Sequence, residues 1–279
     1  MRSALSRLMS DRTALLGLIV VVVAVLLSLG ASVLAPAAPD AVDVGNRFAG
    51  PSVAHPFGTD NLGRDLLSRV LYGGRTSLLS AVVVTVAISA IGIVVGLVTG
   101  YYGGWVDAIV MRIVDVLLAL PRLVLALAVT GVLGPGLPNL VAAIIAVGWA
   151  DYSRVVRALV LGLRERPFVE SARAIGAGRM RILFRHIAPN LLGQIIVLSS
   201  LDLGAVLLTL AGLSFLGLGI RPPTPEWGSM LAEGKNFLDR APQLMIYPGA
   251  AIAIVVLGFN LLGDGLRDLL DPRTRRRRA

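Results

Sequence analysis

A chain of 279 residues that is 56% hydrophobic and only 15% charged, with a mean hydropathy of +0.80, cannot cover a water-facing surface, which takes roughly a quarter of its residues charged. The absence of cysteine and the presence of only two histidines, His55 and His186, exclude disulfides, thiolate metal sites and a histidine cage. The net charge of +9 comes from 26 basic residues, all arginine except Lys235, and it is read below by position rather than by sum.

The apolar residues arrive in blocks of about 20 or more, long enough to cross a hydrocarbon core of about 30 Å as helices. The fold class is therefore an all-α polytopic membrane protein, because a lone strand in lipid leaves its backbone groups unsatisfied. Six spans are expected, near residues 13–35, 76–100, 107–133, 139–160, 190–217 and 246–266. Residues 1–75 then form a cytoplasmic arm, the first span and an external loop, 76–271 a core domain, and 272–279 a basic tail. Arg2, Arg7 and Arg12 precede the first span, which places the N-terminus in the cytoplasm by the positive-inside rule. Six crossings return the tail, with Arg273 and Arg275 to Arg278, to the same side. The segment between spans four and five, with Arg164, Arg166, Arg173, Arg179, Arg181 and Arg185, agrees. The external loop dissents, since it carries Arg47, Arg64, Arg69 and Arg75. Ala35-Pro36-Ala37 resembles a signal-peptide cleavage site, but the apolar block before it is too long and proline is a poor context, so an uncleaved span is expected. Basic residues at span ends meet lipid head groups and set topology, and nucleic acid is not an expected partner.

Span three begins with Arg112 and Asp115, three apart and able to pair on a helix. Arg122 lies deeper, just after a Pro121 that should kink the helix. It faces either a translocation path or a partner subunit, and the sequence leaves both open. Asp202 in span five poses the same question and has to be paired, hydrated or protonated.

Between spans four and five, Pro167 opens and Gly176 closes a helix of about two turns, with Phe168, Ala172 and Ile175 expected on one face. A second amphipathic helix follows, with Met180, Leu183, Phe184 and Ile187 on its apolar side, and ends at Pro189. Physics alone does not separate a working helix from a solvated basic linker here. Farther on, the proline-rich stretch from Arg221, with Pro222, Pro223, Pro225 and Trp227, is expected outside the membrane. It is either a rigid cap or docking surface anchored by Trp227, or a plain return loop. A phosphate-binding loop is missing: the only lysine follows Gly228 at one residue too great an interval, and Asn236 stands where a hydroxyl is needed. The chain is not expected to hydrolyse ATP.

Glu170-Ser171-Ala172, Gly176 and His186-Ile187-Ala188-Pro189 resemble, in residues and intervals, the EAA loop of permease subunits of bacterial ABC importers. Ser171 replaces the usual second alanine. His55 to Arg69, Gly100 to Gly104, Phe215 to Gly228 and Asn260 to Asp268 resemble the C-type permease of dipeptide and oligopeptide importers, whereas the first ~45 residues carry no legible match. The resemblance implies the six-helix type I permease fold, a coupling loop at about residues 161–190, and Glu170, Ala172 and Gly176 at its contact with an ATPase. It also implies a second, homologous permease, two cytoplasmic ATPases that hold ATP and magnesium, an extracytoplasmic substrate-binding protein, a bacterial cytoplasmic-membrane location, and no cofactor on this chain. Nickel and glutathione importers share the pattern. An ion-coupled secondary transporter is the rival of another class, and it predicts an internal repeat that the sequence does not display. An intramembrane hydrolase lacks the chemistry, without cysteine or a close pair of aspartates in the spans.

Overall fold

The computed structural model describes residues 11–270; Arg2, Arg7 and the basic tail from 272 lie outside them. The described residues form helices and turns, with a single isolated antiparallel bridge between Thr59 and Asp65. Helix α1, Arg12–Leu29, starts at Asp11, whose carboxylate accepts from the Thr13 nitrogen at 3.0 Å. It is about 27 Å long at 1.5 Å per residue and adds one more turn, Ala31–Leu34, beyond Gly30. Helix α2, Leu66–Tyr102, is followed by α3, Gly104–Ala119, and α4, Arg122–Leu133. Then come α5, Leu137–Arg164, the short α6, Pro167–Ala174, and α7, Arg179–Phe215. The chain ends with α8, Trp227–Gly234, and α9, Gln243–Leu270.

Among the described residues α1, α2, α7 and α9 are long and apolar enough to cross a membrane, and α3 with α4 makes a fifth if the bent pair counts as one span. The bend is 94° and falls at Leu120-Pro121, where the sequence places a kink. The fourth expected span, α5, is helical over 28 residues but carries Asp151, Arg154, Arg157 and Arg164 and does not meet the same standard.

Helix α2 begins ten residues before the expected position. The Asp65 carboxylate caps it by accepting from the Ser68 nitrogen at 2.7 Å. Arg64 and Arg69, expected in an open external loop, are buried instead. Arg64 bridges Asp60 at 2.6 Å and Glu233 at 2.7 Å, and Arg69 meets Glu233 at 3.0 Å. Their charges are cancelled locally, but acidic partners count little in the positive-inside rule, and the loop remains an exception to it. His55 Nδ1 lies 2.9 Å from Asp65 in the same region.

The chain forms two compact units. One takes the chain up to Val83, Thr130–Val141 and the part from Ser200 onward. There α1 packs along α9, and a Cβ added to Gly17 would stand 2.5 Å from the Leu262 nitrogen and 2.7 Å from the Gly258 carbonyl. Trp227, expected as an outward anchor, is 3% exposed, and its indole donates to the Val70 carbonyl at 2.9 Å. The Glu226 carboxylate caps α8 through the Gly228 and Ser229 nitrogens, each at 2.8 Å, and accepts from the Ser77 hydroxyl at 3.1 Å. The proline stretch is thus bolted inward at its C-terminal end. Pro225 is buried, while Pro222 and Pro223 are exposed.

The other unit is Val84–Val129 with Ala142–Ser199. Its helices close on a stripe of Gly92, Gly96 and Gly100 along α2, spaced four apart so that they share a face. A Cβ at Gly96 would meet the Val156 Cβ at 2.6 Å and the Ser153 carbonyl at 2.7 Å, and one at Gly100 would meet the Val160 Cβ at 2.8 Å. Overpacking of this kind costs about 1–3 kcal/mol. Gly96→Leu is therefore expected to lower the thermal midpoint of the solubilised protein clearly. Gly131→Leu, whose added Cβ meets nothing within 4 Å, should leave it almost unchanged.

Candidate functional site

The segment between α5 and α7 is built as its prolines and glycines dictate. Pro167 occupies the first turn of α6, where a missing N–H costs nothing, and the Ser171 hydroxyl donates back to the Pro167 carbonyl at 2.9 Å. The helix ends when the Ala177 nitrogen donates to the Ala172 carbonyl at 3.0 Å across Gly176, whose φ of +80° favours glycine.

The faces differ from the sequence expectation. Val169 and Ala172 are the buried residues of α6, while Phe168 is 40% and Ile175 85% exposed. Ala172 therefore packs inward and does not form the outer contact core. Its cluster joins Val156 and Val160 of α5, Leu97 of α2 and Leu191 and Ile195 of α7. Glu170, Ser171, Arg173 and Gly176 face outward with Phe168 and Ile175. The outer surface thus alternates charge and bare hydrocarbon.

Helix α7 does not end at Pro189. Residues Ile182–Ile187 form a π-helical turn, and the α-helix resumes at Ala188 and runs through the exposed Pro189. The wider turn alters the bonding pattern just before proline, which has no N–H and whose ring crowds the carbonyl four residues back. It also rotates the register. Ile182, Leu183 and Ile187 are buried, while Met180 and Phe184, expected on the same face as Leu183, are 58% and 59% exposed. On the outer side Arg181, Arg185 and a half-buried His186 line a cleft of about 340 Å³ with Ile175, Gly176 and Ala177. His186 also accepts, at its carbonyl, from the Asn190 amide at 2.6 Å.

Charged residues of the same unit pair between helices. The Arg157 guanidinium forks onto the Asp107 carboxylate at 2.5 and 2.6 Å, Arg154 binds Asp115, and Arg122 approaches Asp151 at 3.4 Å. Asp115 thus takes its partner from α5 and not from Arg112. Arg122 has a counter-charge within its own unit. Asp202 is half-buried in α7 and belongs to the other unit. Among the described residues no group of acids, histidines or cysteines could hold a metal ion.

Helices long and apolar enough to cross a membrane, with a short helix seated on the core between two long ones, are the build of an integral membrane protein. Residues 92–276 match the family described as binding-protein-dependent transport system inner membrane component, and the chain belongs to that family. Residues 1–51 match the N-terminal TM domain of oligopeptide transport permease C, so the stretch without a legible motif carries a family match as well. The dipeptide transport system permease protein DppC of Alkalihalophilus pseudofirmus is 42% identical over 272 residues, 98% of this chain and 90% of that protein. The glutathione transport system permease protein GsiD of Pectobacterium atrosepticum is 48% identical over 224 residues, covering 80% and 74% of the two chains. GsiD of Escherichia coli is 47% identical over 231 residues, covering 83% and 76%.

Phe168 and Ile175 are the site residues that the spacing argument misplaced, because two turns of helix offer more than one way to choose an apolar face. Ala172→Leu, which overpacks the shared core, is expected to cost about 1–3 kcal/mol of stability. Phe168→Ala, at an exposed position, should change the thermal midpoint little, and thermal unfolding in detergent distinguishes the two.

Proposed function

We propose that this chain is one permease subunit of an ATP-driven importer that carries dipeptides or oligopeptides across the bacterial cytoplasmic membrane. The observation that carries the substrate is the 42% identity along 98% of the chain to a dipeptide permease. The glutathione permeases are 47–48% identical over a shorter stretch, and glutathione, itself a tripeptide, is the second reading. Nickel is the third reading.

In this reading the chain pairs with a second, homologous permease, two ATPases bind on the cytoplasmic side, and a substrate-binding protein delivers cargo from outside. Both termini are cytoplasmic, as the clustering of arginine suggests. ATP and magnesium are held by the partner ATPases, and this chain binds no cofactor and performs no hydrolysis.

The coupling loop receives the ATPase through Glu170, Ser171, Phe168 and Ile175. Glu170 supplies charge-assisted hydrogen bonds, and the exposed hydrocarbon of Phe168 and Ile175 fills a cleft. Gly176 holds the reversal of the chain, and His186 and Pro189 shape the following turn. Pro222 and Pro223 remain candidates for contact with the binding protein, whereas Trp227 and Pro225 hold that loop to the protein from inside. Arg122 and Asp202 are retained as candidates for the path or its margins. ATP-driven closure pulls the loop, and rigid-body tilting of the permeases alternates access.

Glu170→Lys or Gly176→Arg should leave membrane insertion and assembly intact and abolish ATP-dependent peptide uptake into proteoliposomes. Wild-type rates in either variant would remove this loop from the coupling path.

A further inference from the structure

The three interhelical ion pairs of α3, α4 and α5 lie on a face that lipid cannot cover. Arg154 and Asp115 are 51% and 56% exposed, and Arg122 and Asp151 are 30% and 49% exposed. Asp115, Arg154 and Asp151 therefore keep polar surface that hydrocarbon cannot satisfy, whereas Arg157 and Asp107 of the third pair are 31% and 16% exposed. Helix α3 also shows which side meets lipid. Ile109, Ile113 and Val116 are exposed on one face. Asp107, Met111 and Asp115, spaced four apart, share a face on nearly the opposite side at 100° per residue. The first face is apolar except for the exposed Arg112 at its edge, and the paired acids, bordered by the buried Val114, are turned away from it.

Water or a partner protein has to cover the charged face. Charge is depleted at the centre of protein interfaces, and a subunit contact that uses charge normally leaves one sign for the partner to neutralise. Here each acid already has its base within the chain. Asp115 also lies within electrostatic reach of Arg157, so neighbouring pairs communicate.

Polarity reverses along the row. Helix α5 supplies the base of two pairs, Arg157 and Arg154, and the acid of the third, Asp151; α3 and α4 supply the complements. A solute with one ammonium and one carboxylate could exchange partners with such a row while the total charge stays zero. A single free arginine would hold a carboxylate too firmly for release.

We infer that the face of α3, α4 and α5 bearing Asp107–Arg157, Asp115–Arg154 and Arg122–Asp151 is a water-filled wall of the translocation path, and that its self-neutralised row passes zwitterionic solutes. This rests on the importer reading above. The wall itself is a statement about water access, and the experiment separates the two.

The chain has no cysteine, so single thiols can be introduced directly. Met111→Cys lies between Asp107 and Asp115 and leaves every ion pair in place; Ile113→Cys marks the apolar face. The complete transporter is reconstituted and exposed to a charged, membrane-impermeant thiol reagent from both sides. Labelling is read on this chain, with and without ATP, binding protein and dialanine, or glutathione in a parallel arm. The Met111→Cys variant is expected to react at least about tenfold faster than the Ile113→Cys variant, given the barrier that lipid presents to a charged reagent, and to be protected several-fold by the transported solute. Failure of the Met111→Cys variant to react would place the face against protein, equal reaction of both variants would remove the distinction between faces, and reaction without solute protection would remove the path assignment. Each of these overturns the inference. Uptake of both solutes by the unmodified transporter is measured in the same vesicles, and import of neither refutes the importer reading whatever the labelling pattern.

Discussion

A charge inside a membrane protein has to bring its own counter-charge or its own water, and the described structure is organised around that demand. Placing an arginine or aspartate at the centre of a spanning helix costs about 2.5–3.5 kcal/mol on insertion scales, which compares with the whole margin that keeps many proteins folded. The chain answers in two ways. Asp60, Arg64, Arg69 and Glu233 form a closed cluster in which Arg64 and Arg69 are almost fully buried. Asp107, Asp115, Arg122, Asp151, Arg154 and Arg157 are instead paired at a half-open face. The first arrangement anchors the start of α2 to α8. The second keeps charge available at a surface while cancelling it over a few ångströms.

Hydrocarbon-lined helices gain little from burying one apolar side chain against another, since lipid is as apolar as leucine. Close approach has to supply the attraction, and glycine supplies the approach. The stripe Gly92, Gly96 and Gly100 brings α2 onto Val156 and Val160 of α5. Gly17 and Gly258 do the same for α1 and α9. Val156 and Val160 also belong to the cluster that seats α6, so the contact that closes this unit also supports its outer loop.

The helices were legible in the sequence because block length and apolar content are enough to define them, and Pro121 announced the bend in the third. The start of α2 was not, because the partner that makes Arg69 tolerable is Glu233, far away along the chain, and no local pattern reports it. The EAA-like residues fall on α6 and the turn that follows it. The orientation of α6 escaped because two turns of helix offer more than one apolar face, and that of Met180 and Phe184 because a regular 3.6-residue period was assumed through a turn that is π-helical at Ile182–Ile187. Trp227 was misread for a related reason: an amphipathic ring beside prolines suits an outer surface, yet Ser77 and Val70 hold it inside. The glycine stripe on α2 is readable in the sequence at its four-residue interval.

The seat of α6 has a mechanical consequence. Val169 and Ala172 are set into hydrocarbon shared by α5 and α7, and Ala177 is tied to Ala172 by a single backbone bond across Gly176. Close-packed interiors compress little, so this short helix behaves as a rivet and not as a tether. A displacement applied at Glu170 reaches two long helices at once, with no slack to take up first. A side chain at Val169 or Ala172 that packs less tightly would let α6 shift before either long helix responds.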